Sequence, residues 1–252
     1  MENVLITGNM GYIGPVLTQY LHRGDGDYRL YGYDSGFFAH CLTTLDGQPE
    51  RALAAQHFGD LRSFDAAILD GVGAVVHLAA ISNDPIGNAF AQVTEQINIT
   101  ASVDFARQAK AAGVRRFVFA SSCSVYGAGQ AAACREDAPL DPLTPYAKSK
   151  IAMEEALHVL ADDDFSVICL RFATACGMSD RLRLDLVLND FVASAVSTGK
   201  IEILSDGSSW RPLIHVQDMA RAIEWALGTR ETGAFMALNA GSDAWNYKIR
   251  DL

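Results

Sequence analysis

The fold of this chain is decided by the stretch Val4-Leu5-Ile6-Thr7-Gly8-Asn9-Met10-Gly11-Tyr12-Ile13-Gly14. Its apolar residues predict a buried strand, its glycines predict a tight turn, and helix-like sequence follows. This layout binds a dinucleotide pyrophosphate, because glycines let the backbone approach the phosphates and a helix N-terminus offers free N–H groups. We therefore expect a dinucleotide to be held by Gly8, Gly11, Tyr12, Ile13 and Gly14.

An acidic residue stands at the distance that this motif requires. Asp34 ends a second apolar-rich run, Leu30-Tyr31-Gly32-Tyr33, and lies twenty residues after Gly14. A carboxylate at the end of the second strand hydrogen-bonds the adenosine ribose and repels a 2′-phosphate. No Arg or Lys follows Asp34 closely. The sequence therefore predicts NAD rather than NADP.

Composition and charge narrow the class of protein. The 252 residues are 50% hydrophobic, and the net charge is −10. That length suffices for one large α/β core with a small lobe. The negative charge argues against duplex nucleic acid as a partner, because phosphate neutralisation requires clustered Lys and Arg. No apolar run approaches the roughly 20 residues that span a bilayer, and no signal peptide precedes the first strand. We therefore expect a cytoplasmic protein.

The cysteines and histidines show no metal-binding pattern. The five cysteines have no C-x-x-C spacing, and the six histidines include no H-x-x-x-H pair. Scattered thiols in an odd number are typical of reduced cytoplasmic proteins. No metal site is therefore predicted.

Apolar runs alternate with helical periodicity along most of the chain. Predicted strands span 3–7, 29–33, 55–58, 74–78, 115–121 and 166–171. Predicted helices span 12–23, 62–70, 86–112, 145–161, 185–199 and 216–228. This alternation predicts a Rossmann-type, doubly wound parallel sheet, since continuous apolar runs are typical of strands buried on both faces.

The alternation weakens after residue 175. We interpret residues 1–175 as the NAD-binding domain and 176–252 as mainly a substrate-binding lobe, partly interleaved with the core. Such a lobe would lie over the carboxyl ends of the strands, where ligands bind in these sheets. Residues 246–252 look like the first turn of a helix, from which we expect the lobe to be incomplete at its C-terminus.

Tyr146 and Lys150 carry the main catalytic signal of the sequence. They lie on the predicted helix that begins after Pro145, and their spacing of four residues puts them on one helix face. A cation lowers the pKa of a phenol, about 10 when unperturbed, because it favours the phenolate. We therefore expect Tyr146 to act as a base toward an alcohol or sugar hydroxyl.

A run of small hydroxyl residues follows the predicted strand 115–121. It reads Ser121-Ser122-Cys123-Ser124-Val125-Tyr126-Gly127. Hydroxyl groups at the carboxyl end of a central strand can hydrogen-bond a substrate oxygen, and a polar turn that simply ends the strand is the alternative.

Together these features resemble the extended short-chain dehydrogenase/reductase superfamily, and within it the NAD-dependent nucleotide-sugar epimerase/dehydratase branch. The resemblance covers nearly the whole chain. It rests on the turn Thr7 to Gly14, Asp34, Gly59-Asp60-Leu61, His77-Leu78-Ala79-Ala80, Asn98, Ser122 to Gly127, Tyr146 with Lys150, Leu170-Arg171-Phe172, and Arg211 to Asp218.

The resemblance implies a role for each matching position. It makes Ser122, Tyr146 and Lys150 catalytic, with Lys150 also holding the nicotinamide ribose. Further cofactor-binding positions are Asp60 and Leu61 beside the adenine. Leu78, Ala79, Ala80 and Asn98 would line the groove that holds the cofactor, here called the trough. Asn189 and Arg211 match positions that hold the diphosphate of a UDP-, dTDP- or GDP-hexose. Substrate contacts are also expected from Cys123, Ser124 and Thr174, where the chain departs from the family pattern. Ser82 and Asn83 are further candidates, with a helix cap as the alternative for their segment.

The implied reaction begins with oxidation of a hexose carbon, most often C4, by hydride transfer to NAD. Epimerisation is the leading interpretation, reached partly by elimination. Dehydratases of the branch typically carry Asp and Glu where Cys123 and Ser124 stand, and Asp34 disfavours an NADPH reductase. A dehydratase or oxidoreductase that uses a low-pKa Cys123 is the alternative. A non-catalytic NAD-binding protein is the third.

Three further expectations concern residues outside the main motifs. Arg181 or Arg183 is a candidate phosphate ligand, with a surface helix start as the equal alternative. His215 is interpreted as structural. The family pairs subunits through two long helices, here 86–112 and 145–161, which predicts a homodimer. Its contact would involve apolar residues such as Ile97, Val103 and Ala106, which could equally pack on the sheet.

Overall fold

The computed structural model describes residues 1–43, 47–82, 87, 89–127, 134–230 and 233–252. Its strands are β1 (Glu2–Thr7), β2 (Tyr28–Asp34), β3 (Ala55–Phe58), β4 (Ala74–His77), β5 (Arg116–Ser122), β6 (Ser166–Phe172), β7 (Thr174–Cys176), β8 (Trp210–His215), β9 (Phe235–Ala240) and β10 (Asn246–Lys248). Within these residues, a parallel sheet has the order β3-β2-β1-β4-β5-β6-β9, and a smaller sheet has the order β10-β8-β7.

The strands of the large sheet are buried on both faces. In β1, Val4 and Ile6 belong to one apolar cluster, whereas Leu5 between them belongs to the other. Side chains alternate between the faces of a strand, so an unbroken apolar run fills both layers. All six predicted strands are confirmed, with bounds that shift by one residue or less.

Helices cover both faces of this sheet. They are α1 (Ile13–Arg23), α2 (Ala91–Glu95), a π-helical turn (Gln96–Ala101), α3 (Ser102–Ala111), α4 (Pro145–Leu160), α5 (Val187–Thr198) and α6 (Val216–Gly228). Leu17 of α1 and Ile223 of α6 pack on one face, and Phe105 of α3 and Met153 of α4 pack on the other. The doubly wound Rossmann-type fold is confirmed.

Two of the predicted helices differ from the structure. The range 62–70 is not one helix but two 3-10 turns, Leu61–Ser63 and Ala66–Leu69. Asp60 and Asp65 each cap a separate turn by accepting a backbone N–H two residues on, which competes with a continuous helix. In the range 86–112, residues 86 and 88 lie outside the described part, and the π-helical turn interrupts the remainder.

The C-terminal region contributes to both sheets. β9 pairs with β6 at the edge of the large sheet, and α6 packs against α1. β7, β8 and β10 form the small sheet at the carboxyl ends of the large one. The division of the chain at residue 175 stays a prediction.

The last residues do not begin an α-helix. Asn246–Lys248 form β10, antiparallel to β8, and Ile249–Asp251 form a 3-10 turn. Ala106 is fully buried against the sheet, so it packs in the core rather than on an outer helix face. No helix of the described residues is long and apolar enough to cross a membrane.

Candidate active site

The glycine-rich turn leaves the carboxyl end of β1 and leads into α1. Gly8 has a φ of +74°, and a Cβ there would lie 2.5 Å from the Ala79 backbone nitrogen. The Gly11 N–H closes the turn on the Gly8 carbonyl at 3.1 Å. A Cβ at Gly11 would meet only that carbonyl, so its outer side is open, whereas Gly14 packs tightly on Asn9. This is a cradle that fits a pyrophosphate.

Asp34, the last residue of β2, is hydrogen-bonded to the backbone of this turn. Its Oδ2 accepts the Met10 N–H at 3.0 Å, and its Oδ1 accepts the Gly36 N–H at 2.8 Å. An ionised carboxylate has about four acceptor sites. Asp34 therefore keeps acceptor capacity for a ribose hydroxyl beside the turn.

The residues after β4 form the floor of the trough. The Leu78 N–H bonds the Thr7 carbonyl, and Ala79 lies against Gly8. Asn98 fixes the next part of this loop, because its amide bonds both the N–H and the carbonyl of Ile81, at 2.8 and 2.9 Å. Asn98 lies in the π-helical turn, a feature that is frequent at functional sites.

The predicted adenine end contains an ion pair that the sequence analysis missed. Arg62 holds the Asp60 carboxylate through its backbone N–H, Nε and Nη2, the last at 2.6 Å. These bonds lower the pKa of Asp60. Leu61 is buried beside the pair. The Asp60 carboxylate is thus already paired, and its contact with an adenine stays a prediction. The i, i+2 spacing of Asp60 and Arg62 was the available signal of the pair.

Tyr146 and Lys150 lie on the first turns of α4. Pro145 and the Thr144 hydroxyl, which accepts the Ala147 N–H at 3.1 Å, start this helix. Lys150 Nζ donates to the Ala120 carbonyl at 2.7 Å and lies 5.2 Å from the centroid of the Tyr146 ring. β5 therefore positions the ammonium group beside the phenol.

Burial lowers the pKa of Lys150 to about 8, and Glu154 on the next helical turn acts in the opposite direction. The side chain therefore remains mainly cationic at neutral pH. A cation so close to the Tyr146 ring favours its phenolate.

His77 lies beneath Lys150 and was not assigned a role from the sequence. Burial and the Lys150 charge lower its pKa to about 3, so the imidazole is neutral. Ser102 Oγ donates to the Ile97 carbonyl and therefore accepts the His77 Nε2–H at 3.0 Å. His77 Nδ1 then accepts the Thr7 hydroxyl at 2.7 Å.

Ser122 ends β5, and Cys123 and Ser124 begin the turn that follows it and packs against α4. Ser122 Oγ accepts the Ser124 N–H at 3.2 Å and caps a 3-10 turn, Cys123–Tyr126. Burial raises the pKa of Cys123 to about 11, and Arg211 offsets this only in part. This raised pKa disfavours the alternative in which Cys123 acts as a thiolate. Among the described residues, the buried Ser124 hydroxyl has no hydrogen-bond partner.

The small sheet brings the predicted substrate residues toward this turn. Thr174 begins β7 and Arg211 lies in β8, which runs beside it. The Arg211 charge lowers the pKa of Cys123, so this cation of β8 lies near the turn after β5. His215 ends β8 and caps α6 by accepting the Gln217 N–H at 3.2 Å, as expected of a structural histidine.

The arginines at 181 and 183 have different surroundings. Arg181 is buried and pairs with Glu50 at 2.6 Å, so the expectation that it reaches a phosphate is wrong. Arg183 is half-buried, pairs with Asp185 at 2.6 Å and donates to Ser82 Oγ at 2.9 Å in the loop after β4. Asn83, next to Ser82, lies outside the described residues.

Asn189, predicted to bind the diphosphate, forms hydrogen bonds through both the oxygen and the nitrogen of its side-chain amide. Its Oδ1 accepts the Gly177 N–H at 2.9 Å, and its Nδ2 donates to the Tyr12 hydroxyl and the Arg183 carbonyl. Asn189 thus joins the glycine-rich turn to the C-terminal region.

Comparison with known proteins identifies this architecture. The model of the NAD dependent epimerase/dehydratase family matches residues 4–241. The chain belongs to this family. Its cofactor is therefore NAD, and the open turn and Asp34 fit that cofactor.

Relatives and solved structures of the family agree with this assignment. UDP-glucose 4-epimerase of Bacillus subtilis (strain 168) is 28% identical, and the match covers 96% of this chain and 76% of the relative. MoeE5 in complex with UDP-glucose and NAD is 30% identical, with a TM-score of 0.82 over 98% of this chain and 78% of that chain. UDP-glucuronic acid 4-epimerase from Bacillus cereus, in complex with NAD, is 25% identical, with a TM-score of 0.85 over 99% and 80%. The chain is thus an NAD-dependent nucleotide-sugar enzyme of the epimerase/dehydratase family.

Proposed function

We propose that this protein is a nucleotide-sugar epimerase that transiently oxidises C4 of a hexose. The carrying observation is the Lys150 ammonium, held by the Ala120 carbonyl 5.2 Å from the centroid of the Tyr146 ring. This pair would supply a base at the carboxyl ends of the strands, where such sheets bind ligands.

Each catalytic side chain has one task in this proposal. Tyr146 as phenolate takes the proton of the C4 hydroxyl, and the Ser122 hydroxyl orients that oxygen. Lys150 stabilises the phenolate, and its donation to Ala120 fixes its position. NAD, when bound, would supply the hydride acceptor and donor. Inversion requires the 4-keto sugar to turn over before C4 is reduced again, and the protonated Tyr146 then gives its proton back to the C4 oxygen.

The turn after β5 favours epimerisation over dehydration. Elimination of water across C5–C6 needs a base for the C5 proton and an acid for the C6 hydroxyl. Cys123, with a pKa raised to about 11 by burial, is a neutral thiol at physiological pH, and Ser124 is a neutral hydroxyl. Neither position supplies such a base.

A UDP-hexose is the substrate class that we propose. The relatives named above act on UDP-glucose or UDP-glucuronic acid, as their names state. Arg211 faces the catalytic turn, and its planar, permanently charged guanidinium suits the two phosphates. Arg183, which is half-buried, pairs with Asp185 and donates to Ser82, is a second cation on this side of the sheet.

We also propose that two copies of the chain pair through α3 and α4. Val159 is 86% exposed on α4, and the Val103 side chain on α3 is only partly buried. Pairing of these neighbouring helices would remove apolar surface from water. A Val159→Glu variant is expected to become monomeric in light scattering, while wild type measures as a dimer.

The reaction is tested with the purified protein and a panel of nucleotide sugars, without added cofactor, by proton NMR. Interconversion of C4 epimers by wild type, its loss in Tyr146→Phe with NAD retained, and normal turnover by Tyr28→Phe support the proposal. Tyr28 is the first residue of β2, so it lies at the amino ends of the strands, away from Tyr146 at their carboxyl ends. A 4-keto-6-deoxy or unsaturated product would instead establish a dehydratase. No product from any sugar would favour a non-catalytic NAD-binding protein.

A further inference from the structure

Tyr12 lies between the cofactor turn and residues 177–189 of the C-terminal region. It stands at the N-cap of α1, the helix end that follows the glycine-rich turn and would hold the pyrophosphate. Its hydroxyl donates to the Gly177 carbonyl at 2.7 Å and accepts from Asn189 Nδ2 at 3.3 Å. Its own carbonyl accepts the Ser179 hydroxyl at 2.6 Å. Tyr12 thus joins the N-terminal end of α1 to the C-terminal region through three hydrogen bonds.

These bonds continue toward the mouth of the trough. Asn189 accepts the Gly177 N–H and donates to the Arg183 carbonyl at 3.0 Å. Arg183 in turn donates to Ser82 Oγ in the loop after β4. An unbroken chain of hydrogen bonds therefore runs from the glycine-rich turn to an arginine that faces the substrate side.

The Tyr12 side chain is suited to couple the glycine-rich turn to residues 177–189. The residue is only 6% exposed, and burial raises the pKa of its hydroxyl, which keeps the donor proton in place. Two other contacts, from Gln19 to Asp180 and from Arg181 to Glu50, hold residues 180 and 181 without passing through Tyr12. Residues 177–179 and Asn189 depend on Tyr12 more directly.

We propose that Tyr12 is a positioning residue through which bound NAD orders residues 177–189. A ligand that fixes the turn removes motion that the C-terminal segment would otherwise share, so the two sites become energetically coupled. Such coupling prepares Arg183 and its neighbours before any sugar arrives. The inference needs only NAD, so it stands apart from the proposed reaction.

Hydrogen–deuterium exchange with and without saturating NAD tests this coupling on the full chain. In wild type, NAD is expected to slow backbone exchange both in the turn and in residues 177–189, the latter by about fivefold, the effect of one typical hydrogen bond. In Tyr12→Phe the slowing in the turn should persist, and that in 177–189 should disappear. Tyr20→Phe is the matched control, because it removes a hydroxyl of α1 that bonds Glu224 instead.

A second variant keeps the inference testable if Tyr12→Phe disturbs the turn. Ser179→Ala leaves the Tyr12 hydroxyl in place, removes the bond to the Tyr12 carbonyl and the one from the Arg181 N–H, and should reduce the NAD effect on 177–189 partially. Equal slowing of 177–189 in wild type and both variants would overturn the proposal. So would the absence of any NAD effect on this segment in wild type, or loss of NAD binding in both variants.

Discussion

The Arg171 guanidinium and the Glu154 carboxylate form an ion pair in the protein interior, with 2.7 Å between Nη2 and Oε2. Their side chains are 7% and 6% exposed. Ser121 donates to the same carboxylate, and Arg171 also bonds the Tyr126 hydroxyl at 2.8 Å. This network joins β5, β6 and α4 one helical turn from Lys150.

Breaking this pair from one side should be costly. Arg171→Met leaves an unpaired buried carboxylate and is expected to destabilise the fold by about 3–5 kcal/mol. The double variant Arg171→Met, Glu154→Met should lose less than the two single variants summed, because no charge is left unpaired. Urea unfolding of all four proteins measures this coupling, and strictly additive costs would contradict it.

Gly8 is required for both its backbone angle and its contact. Gly8→Ala places a Cβ 2.5 Å from the Ala79 nitrogen at a φ of +74°, and it should lose NAD binding together with thermal stability. Gly113→Ala shares a positive φ, +85°, but meets nothing within 4 Å, so it should cost only about 1–2 kcal/mol of strain. NAD titration and melting curves measure both variants. Equal losses in the two would contradict the idea that the contact of the added Cβ with Ala79 makes Gly8→Ala worse.

Lys150 should make stability depend on alkaline pH. Its pKa, about 8 in the folded protein, lies below the unfolded value, so between pH 8 and 10.5 the unfolded chain binds more protons. The burial cost is therefore fully present below pH 8 and is relieved as pH rises. Relative to Lys150→Met, wild type should gain about 1.4 kcal/mol per pH unit in this window. A constant difference in denaturant unfolding from pH 7 to 10 would contradict the assignment.

Cys123 should be dispensable as an acid or base. Because burial raises its pKa to about 11, Cys123→Ala is expected to keep kcat within about threefold of wild type, with an unchanged pH profile. Loss of activity of 100-fold or more, or loss of one limb of the pH profile, would support the dehydratase or oxidoreductase alternative.

Local sequence patterns predicted the centre of the fold better than its periphery. β1 and β4 are continuous apolar runs because both their faces are buried. β9 is an edge strand with no fully buried residue, and its apolar run from Phe235 to Leu238 was not recognised as a strand. β7 and β10 are only three residues long and acquire their definition from pairing with β8.

Some features of the candidate site could likewise be predicted from local sequence, whereas others depend on tertiary packing. The glycine turn and the Tyr146–Lys150 spacing are local features, so the sequence was enough to predict them. The pairing of Arg181 with Glu50 joins residues that are 131 positions apart, and tertiary packing alone determines it. The raised pKa of Cys123 likewise depends on burial, which its immediate neighbours in the sequence do not indicate.

Transient oxidation with internal hydride return is tested most directly by a UDP-hexose that carries deuterium at C4. The holoenzyme is incubated with this sugar in ordinary water, and deuterium NMR follows the label. We predict that the C4 epimer forms with the deuterium still bound at C4. Formation of an epimer whose C4 deuterium has exchanged with solvent, or appearance of the label at C6 of a deoxy sugar, would contradict the account.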